Sequence, residues 1–281
     1  MSEPDQRSFL SRIRAARPDM HPSERRLAEV VLNFPGELAS YSATELARLA
    51  NVSNATVTRF VRKIGYGSFE EARQAARAGY RSGAALFRVS PRPDEAEPAL
   101  AAHVAQGRAN LEASFAAIAQ AEIDAVARAM LDAPRVWIVG FRTAHAFAQY
   151  LGAQVLQVVP GVTVLPGPGQ TLGEAIAAMG REDCAVVFAL RRPVRQLPRV
   201  VAEIAASGAR LAVIGDGALP DGHPAKWRFR VQTAAPGPLF NHVAVLALAH
   251  LLATRTIELA GASGRRRLSA IEAAHDSLDE I

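Results

Sequence analysis

The chain carries one cysteine, Cys184. A lone thiol rules out an intrachain disulfide framework and any cysteine-based zinc site. No uninterrupted apolar run approaches the roughly 18 residues that a membrane-spanning helix requires. The first residues, MSEPDQRSFLSRIRAAR, have neither the apolar core nor the layout of a signal peptide. Neither an internal repeat nor a low-complexity segment is present. These absences make the cytoplasm the expected compartment, with no membrane association. No motif calls for a metal or a cofactor.

What is present is a globular composition, 49% hydrophobic and 21% charged, over 281 residues, enough for two domains. The formal net charge of +5 is unevenly spread. Residues 1–90 hold 14 Lys and Arg against 9 Asp and Glu, whereas the remainder balances at 18 of each. A localised positive excess suits a module that neutralises phosphates and releases their counterions. It also suits a solvated basic surface, so charge alone leaves both readings open.

The texture of the chain changes twice. The first ninety residues show helical spacing and no strand-like alternation: Arg7–Ala16, a second helix from Pro22 through Leu27, Val30 and Val31, a break at Pro35-Gly36, two further helices, then Phe69–Tyr80. Ser90-Pro91-Arg92-Pro93-Asp94-Glu95 reads as a linker. An alanine-rich helical stretch, 98–119, follows. From Arg135 short apolar runs alternate with helices: Val136–Val139, Val162–Leu165, Cys184–Leu190, Leu211–Ile214 and Trp227–Val231, with helices Thr143–Val158 and Val194–Ala206 between them and a closing helix over Leu239–Leu259. That is the pattern of a parallel sheet covered on both faces. The expected architecture is an all-α helix-turn-helix domain over 1–89, a linker over 90–98, and an α/β parallel-sheet sandwich over 99–281.

The strongest local signal runs from Ala43 to Arg62. Two helices that cross steeply need a small residue at their contact, which Ala47 provides. The turn needs a residue that tolerates a left-handed backbone, and after glycine the usual choice is asparagine, here Asn51. Ser53 suits the N-cap of the second helix. Val57, Phe60, Val61 and Ile64 form a buried face, leaving Asn54, Thr58, Arg59, Arg62 and Lys63 on the other. Arg and Asn can read base edges bidentately; hydroxyls, lysine and a helix N-terminus suit phosphates. The candidate DNA-binding set is Ser53, Asn54, Thr56, Thr58, Arg59, Arg62 and Lys63. A helical hairpin with a solvated polar face is the plainer alternative.

The run from Ser53 to Tyr66, followed by Gly67-Ser68-Phe69, resembles the DNA-binding domain of the RpiR family of bacterial transcription regulators. The family joins that domain to a C-terminal sugar isomerase (SIS) domain, a five-stranded parallel α/β sandwich that binds phosphosugars. The resemblance implies a regulator that pairs through its SIS domain, as a homodimer or homotetramer, on a double-stranded DNA operator of roughly palindromic sequence.

In parallel α/β sheets ligands sit at the carboxyl ends of strands, where helix N-termini offer N–H groups to anions. Two loops stand out, Gly140-Phe141-Arg142-Thr143 and Leu190-Arg191-Arg192-Pro193-Val194-Arg195. In SIS domains the corresponding loops carry Gly-x-Gly-x-Ser and Ser-x-Ser-Gly patterns. Here Arg142 stands where the second glycine is usual, and the second loop carries arginines in place of serines. The candidate effector site is Gly140, Arg142, Thr143, Arg191, Arg192 and Arg195, expected to hold a small anionic metabolite, a phosphosugar or related acid. Both loops are expected to place arginine at the start of a helix, and binding is expected to act on the DNA-binding domains through the linker at Pro91–Pro98.

The alternative function is a sugar-phosphate aldose–ketose isomerase, which needs a general base. Glu174, His145 and His242 are the candidates. None has a supporting motif, so no catalytic residue is assigned and the chain is not expected to be an enzyme. Gly167-Pro168-Gly169 lacks the lysine and spacing of a P-loop and reads as a turn. The basic run Arg265-Arg266-Arg267 reads as a solvated tail.

Overall fold

A computed structural model describes residues 9–33, 35–81, 99–219 and 221–280. The linker expected at 90–98 lies outside them. The chain divides into two compact units, 1–103 with 235–240, and 104–234 with 241–281.

The described part of the first unit is helical. Helices α1 (Phe9–Ala16), α2 (Pro22–Asn33), α3 (Pro35–Ser40), α4 (Ala43–Leu49), α5 (Asn54–Lys63) and α6 (Phe69–Arg81) surround one apolar cluster. Ile13, Leu27, Val31, Leu38, Leu46, Val57 and Phe60 are fully buried in it. Pro35 does end α2, as its ring requires, but it also begins α3, a helix not expected from the sequence. A proline costs nothing at the first helical position, where its missing N–H has no partner in any case. Ser42 and Glu45 close a capping box at the start of α4.

The second unit holds most of α7 (Ala99–Phe115), then α8 (Gln120–Leu131), and a sheet of five parallel strands interleaved with helices. In chain order these are β1 (Val136–Gly140), α9 (Thr143–Val155), β2 (Val162–Leu165), α10 (Leu172–Ala177), β3 (Cys184–Ala189), α11 (Leu197–Ala206), β4 (Arg210–Gly215), β5 (Trp227–Arg230), α12 (Val243–Leu259) and α13 (Gly261–Leu278). The strand order is β2-β1-β3-β4-β5. Successive side chains alternate between two cores, as a strand's period of two dictates. Ile138, Val186, Phe188, Ala212 and Ile214 face α8, α9 and α12. Trp137, Val139, Ala185, Val187, Leu211 and Val213 face α11. Both faces of β1 and β3 are therefore buried, which explains their unbroken apolar sequences. Cys184 lies inside, where burial pushes its thiol up to about 12.

In the second unit the layout departs from the expected one in three places. α8 and α10 were not anticipated. The helix over Val243–Leu259 does not close the chain, because α13 follows it. The expected solvated tail at Arg265–Arg267 belongs to α13, and the Arg267 guanidinium donates from Nε and Nη2 to the Leu156 carbonyl, at 3.1 and 2.9 Å. Among the described residues no single helix is long and apolar enough to cross a membrane, and no group of three or more His, Cys, Asp or Glu is arranged to hold a metal.

Candidate functional site

Two arrangements carry chemistry, one in each unit. In the first, Asn51 takes a left-handed backbone with φ of 50° between α4 and α5. Ser53 then caps α5, its hydroxyl accepting from the Thr56 N–H at 3.2 Å. Val57, Phe60 and Val61 turn inward, and Ile64 just beyond the helix is buried with them. Asn54, Thr58, Arg59, Arg62 and Lys63 are exposed. The helix thus presents a polar and basic face to solvent on an apolar foundation.

The candidate DNA-binding residues do not all stand on that face. Thr56 is 3% exposed, and its hydroxyl lies 3.0 Å from that of Ser53, so it braces the cap. Lys63 donates to the Glu24 carboxylate at 2.7 Å and to the Asp19 carbonyl at 2.8 Å. Burial pushes the Glu24 carboxyl up, but hydrogen bonds from Lys63 and the His21 N–H outweigh it, and the group ends below its usual value. Asn54 donates to the Thr44 hydroxyl at 3.2 Å, linking the two helices of the motif. Arg59 donates to the Thr56 hydroxyl at 3.4 Å, and its charge also helps to lower the Glu24 pKa.

In the second unit, the order β2-β1-β3 places the topological switch point between β1 and β3, where doubly wound sheets open a crevice. Both arginine-bearing loops leave the sheet there. Gly140 ends β1, and a Cβ on it would come within 2.4 Å of the Ala144 carbonyl oxygen; the close approach of α9 to the strand end needs glycine. Arg142 follows as the N-cap of α9, with φ 57° and ψ −127°, a backbone conformation that ordinarily belongs to glycine. Its Nη1 donates to the Arg192 carbonyl at 3.1 Å, tying the two loops together. Arg192 also has a positive φ, 59°. Thr143, Arg191, Arg192 and Arg195 are exposed. One expectation is corrected: α11 begins at Leu197, not beside Pro193, so Arg191 and Arg192 stand in a loop rather than at a helix start. In the second loop only Arg195, directly before the Gln196 N-cap of α11, stands near a helix start.

The base candidates are placed as follows. His145, on the first turn of α9, donates from Nδ1 to the Gly140 carbonyl, 3.1 Å away. Glu174 is exposed on α10, and a hydrogen bond from the Thr171 hydroxyl holds its carboxyl below the usual range. His242, at the N-cap of α12, is half-buried beside Phe147, with ring centroids 5.4 Å apart, and burial lowers its pKa. A small pocket of about 70 Å³ also lies at this edge of the sheet, lined by Ala189, Gly215, Gly217 and His223 among others, none of them in the predicted effector set.

The sequence reading missed Asp216. It follows β4 at the carboxyl edge, its side chain only 1% exposed, and Oδ2 accepts from the Thr233 hydroxyl at 2.8 Å. The strand-end rule that selected Arg142 and Arg191 applies equally to Gly215-Asp216, so the signal was available.

Residues 7–80 match the helix-turn-helix domain of the rpiR family. The HTH-type transcriptional regulator HexR of Pseudomonas aeruginosa is 30% identical over 89 residues, 32% of this chain and 31% of that protein; the match thus spans less than a third of the relative's length. Among solved structures, the sugar isomerase domain of an RpiR transcription factor from Sphaerobacter thermophilus aligns with a TM-score of 0.58 at 20% identity, covering 63% of this chain and 99% of that one. NanR of Vibrio vulnificus, solved in complex with ManNAc-6P, aligns with a TM-score of 0.54 at 14% identity, covering 96% and 99%. The first unit is therefore a helix-turn-helix domain, joined to a five-stranded α/β unit with the sugar-isomerase fold. Residues 7–80 are thus similar to the helix-turn-helix domain of the rpiR family, and the second unit shares the fold of a sugar isomerase domain.

Proposed function

We propose that the protein is a DNA-binding transcription regulator whose operator affinity is set by a small anionic metabolite, a phosphosugar or related acid, held at the β1–β3 switch point. The observation that carries this reading is the outer face of α5. Asn54, Thr58, Arg59 and Arg62 stand exposed opposite buried Val57 and Phe60 on a helix capped by Ser53. Arg59 and Arg62 suit base edges and phosphates, while Thr56 and Lys63 hold the helix in place. The relative's name, a transcriptional regulator, supports the same reading.

On the sensing side, support comes from the guanidinium groups of Arg142, Arg191, Arg192 and Arg195, whose planar forks match carboxylate and phosphate oxygens, and from the N-terminus of α9 behind Thr143. NanR in complex with ManNAc-6P supports a phosphosugar as the ligand class. Residues 1–89 would grip DNA, and residues 99–281 would sense and pair two or four copies on a palindromic operator. The sensing unit is read as binding without converting, since none of Glu174, His145 and His242 carries a supporting motif for a general base.

The test is fluorescence anisotropy with a duplex enriched from a random library, titrated with salt and then with a panel of sugar phosphates. Salt-sensitive binding that one anion shifts is the expected result. Duplex binding that no salt concentration weakens, or turnover of a sugar phosphate, would overturn the reading.

A further inference from the structure

Asp216 is an unusual neighbour for a site built of arginines. It directly follows β4, on the sheet face shared by Ala212 and Ile214, and its side chain is 1% exposed. Oδ2 accepts from the Thr233 hydroxyl at 2.8 Å and has Arg191 Nε at 3.8 Å. Oδ1 is also buried and has no hydrogen-bond partner among the described residues. A buried carboxylate oxygen without a donor costs free energy, and such orphans are rare. Arg191, 43% exposed, is the member of the pair that reaches solvent, and it belongs to the loop that Arg142 ties to β1.

We propose that Asp216 selects a hydroxylated anion: Oδ1 accepts a hydrogen bond from an effector hydroxyl while the effector's anionic group is held on the arginine loops. This rests on the switch point being the effector site. Oδ1 is buried, so the effector hydroxyl reaches it as the packing over Asp216 opens. The donor is a hydroxyl and not an ammonium, because Arg142, Arg191, Arg192 and Arg195 would repel a second cation. His242, the titratable group beside Asp216, is kept neutral by burial and adds no charge there near neutral pH. A site with a committed acceptor discriminates strongly against analogues that lack the donor.

Calorimetry on the full chain provides the test, with ribose 5-phosphate and glucose 6-phosphate set against n-pentyl phosphate and n-hexyl phosphate. Wild type should favour each sugar phosphate over its alkyl counterpart by about 10- to 100-fold, the range of a hydrogen bond to a charged group. In Asp216→Ala the ratio should collapse to within about threefold, with alkyl phosphate affinity retained. Asp216→Asn keeps the shape and the Thr233 partner, should give an intermediate ratio, and carries the test if the alanine variant does not fold. A ratio near one in wild type, or one unchanged in both variants, overturns the role of Asp216. Failure of every phosphate to bind wild type overturns the switch-point reading instead.

Discussion

Lys63 Nζ lies 2.7 Å from Oε2 of Glu24, a carboxylate whose side chain is 6% exposed, and so fastens the C-terminal end of α5 to α2. Losing the lysine leaves a largely buried charge without its partner. Lys63→Ala should therefore lower the stability of the first unit by about 1–2 kcal/mol, read as faster hydrogen exchange at α2 and α5 amides. Because Glu24 ends below its usual pKa, its contribution is present above about pH 4.5 and is lost as the pH falls through the folded value. In Lys63→Ala that acid limb should shrink. A variant with wild-type exchange would show the contact to be idle.

Arg62, exposed on the same helix, should behave in the opposite way. Arg62→Ala should leave stability unchanged and reduce the salt slope of duplex binding by about 1, as expected for one phosphate contact. Arg59→Ala, if it reads a guanine, should cost about 1–3 kcal/mol and relax preference at one base position. The measurement is anisotropy on a set of single-base operator variants. A folded Arg59→Ala/Arg62→Ala double variant with undiminished affinity would remove α5 from the interface.

How much of this could be read beforehand depends on how local each determinant is. The turn at Asn51, the cap at Ser53 and the buried stripe of Val57 and Phe60 are set by residues within one turn of each other, and they appear as expected. The strands were legible because β1 and β3 are apolar on both faces. α8 was not recognised, because alanines on every side of Gln120–Leu131 blur its stripe of Ile123, Val126 and Met130. α13 buries little beyond Gly264, so it leaves almost no apolar pattern to find. The use of Lys63 depends on Glu24, and that of Asp216 on Thr233; neither partner is a sequence neighbour, and spacing rules cannot see such pairs. Arg142 was noticed as a departure from glycine, but its glycine-like backbone and its bond to Arg192 emerge only from the closed sheet.

Arg142 offers a clean comparison. Its φ of 57° and ψ of −127° strain any residue with a Cβ. Arg142→Gly and Arg142→Ala remove the same guanidinium, but only the glycine relieves the backbone. The glycine variant should be more stable than the alanine variant by about 1 kcal/mol, and both should lose affinity for the anion. Denaturation followed by tryptophan fluorescence reports on this unit alone, since the chain's two tryptophans are Trp137 and Trp227. Equal stability of the two variants would mean that the backbone strain is not felt.

The same signal can follow His242. Burial lowers its pKa, with the Asp216 charge opposing, so the folded unit holds the ring neutral to a lower pH than the unfolded chain does. Stability of the second unit should be at its full value above about pH 6.5, decline as the pH falls below that, and level off once the folded pKa is passed. His242→Gln should flatten this limb. Identical urea midpoints against pH in the two proteins would exclude the histidine as its source.

Assembly makes the last demand on the surface. Val243 and Leu246 lie one turn apart on α12, 39% and 42% exposed, while Ala244, Val245 and Leu248 on the same helix are buried. A large apolar pair facing water at the outer side of a core helix suits a second copy better than it suits solvent, and a small helix-turn-helix domain gains affinity by reading two half-sites as a dimer. Leu246→Glu places a charge on that face without touching the core. It should leave the tryptophan-monitored melting of the second unit unchanged, lower the mass seen by light scattering to that of a monomer at micromolar concentration, and weaken binding to a palindromic duplex far more than to a single half-site. If the variant assembles as wild type does, the contact lies on another face; if wild type is itself monomeric while bound to a palindrome, the paired arrangement is wrong.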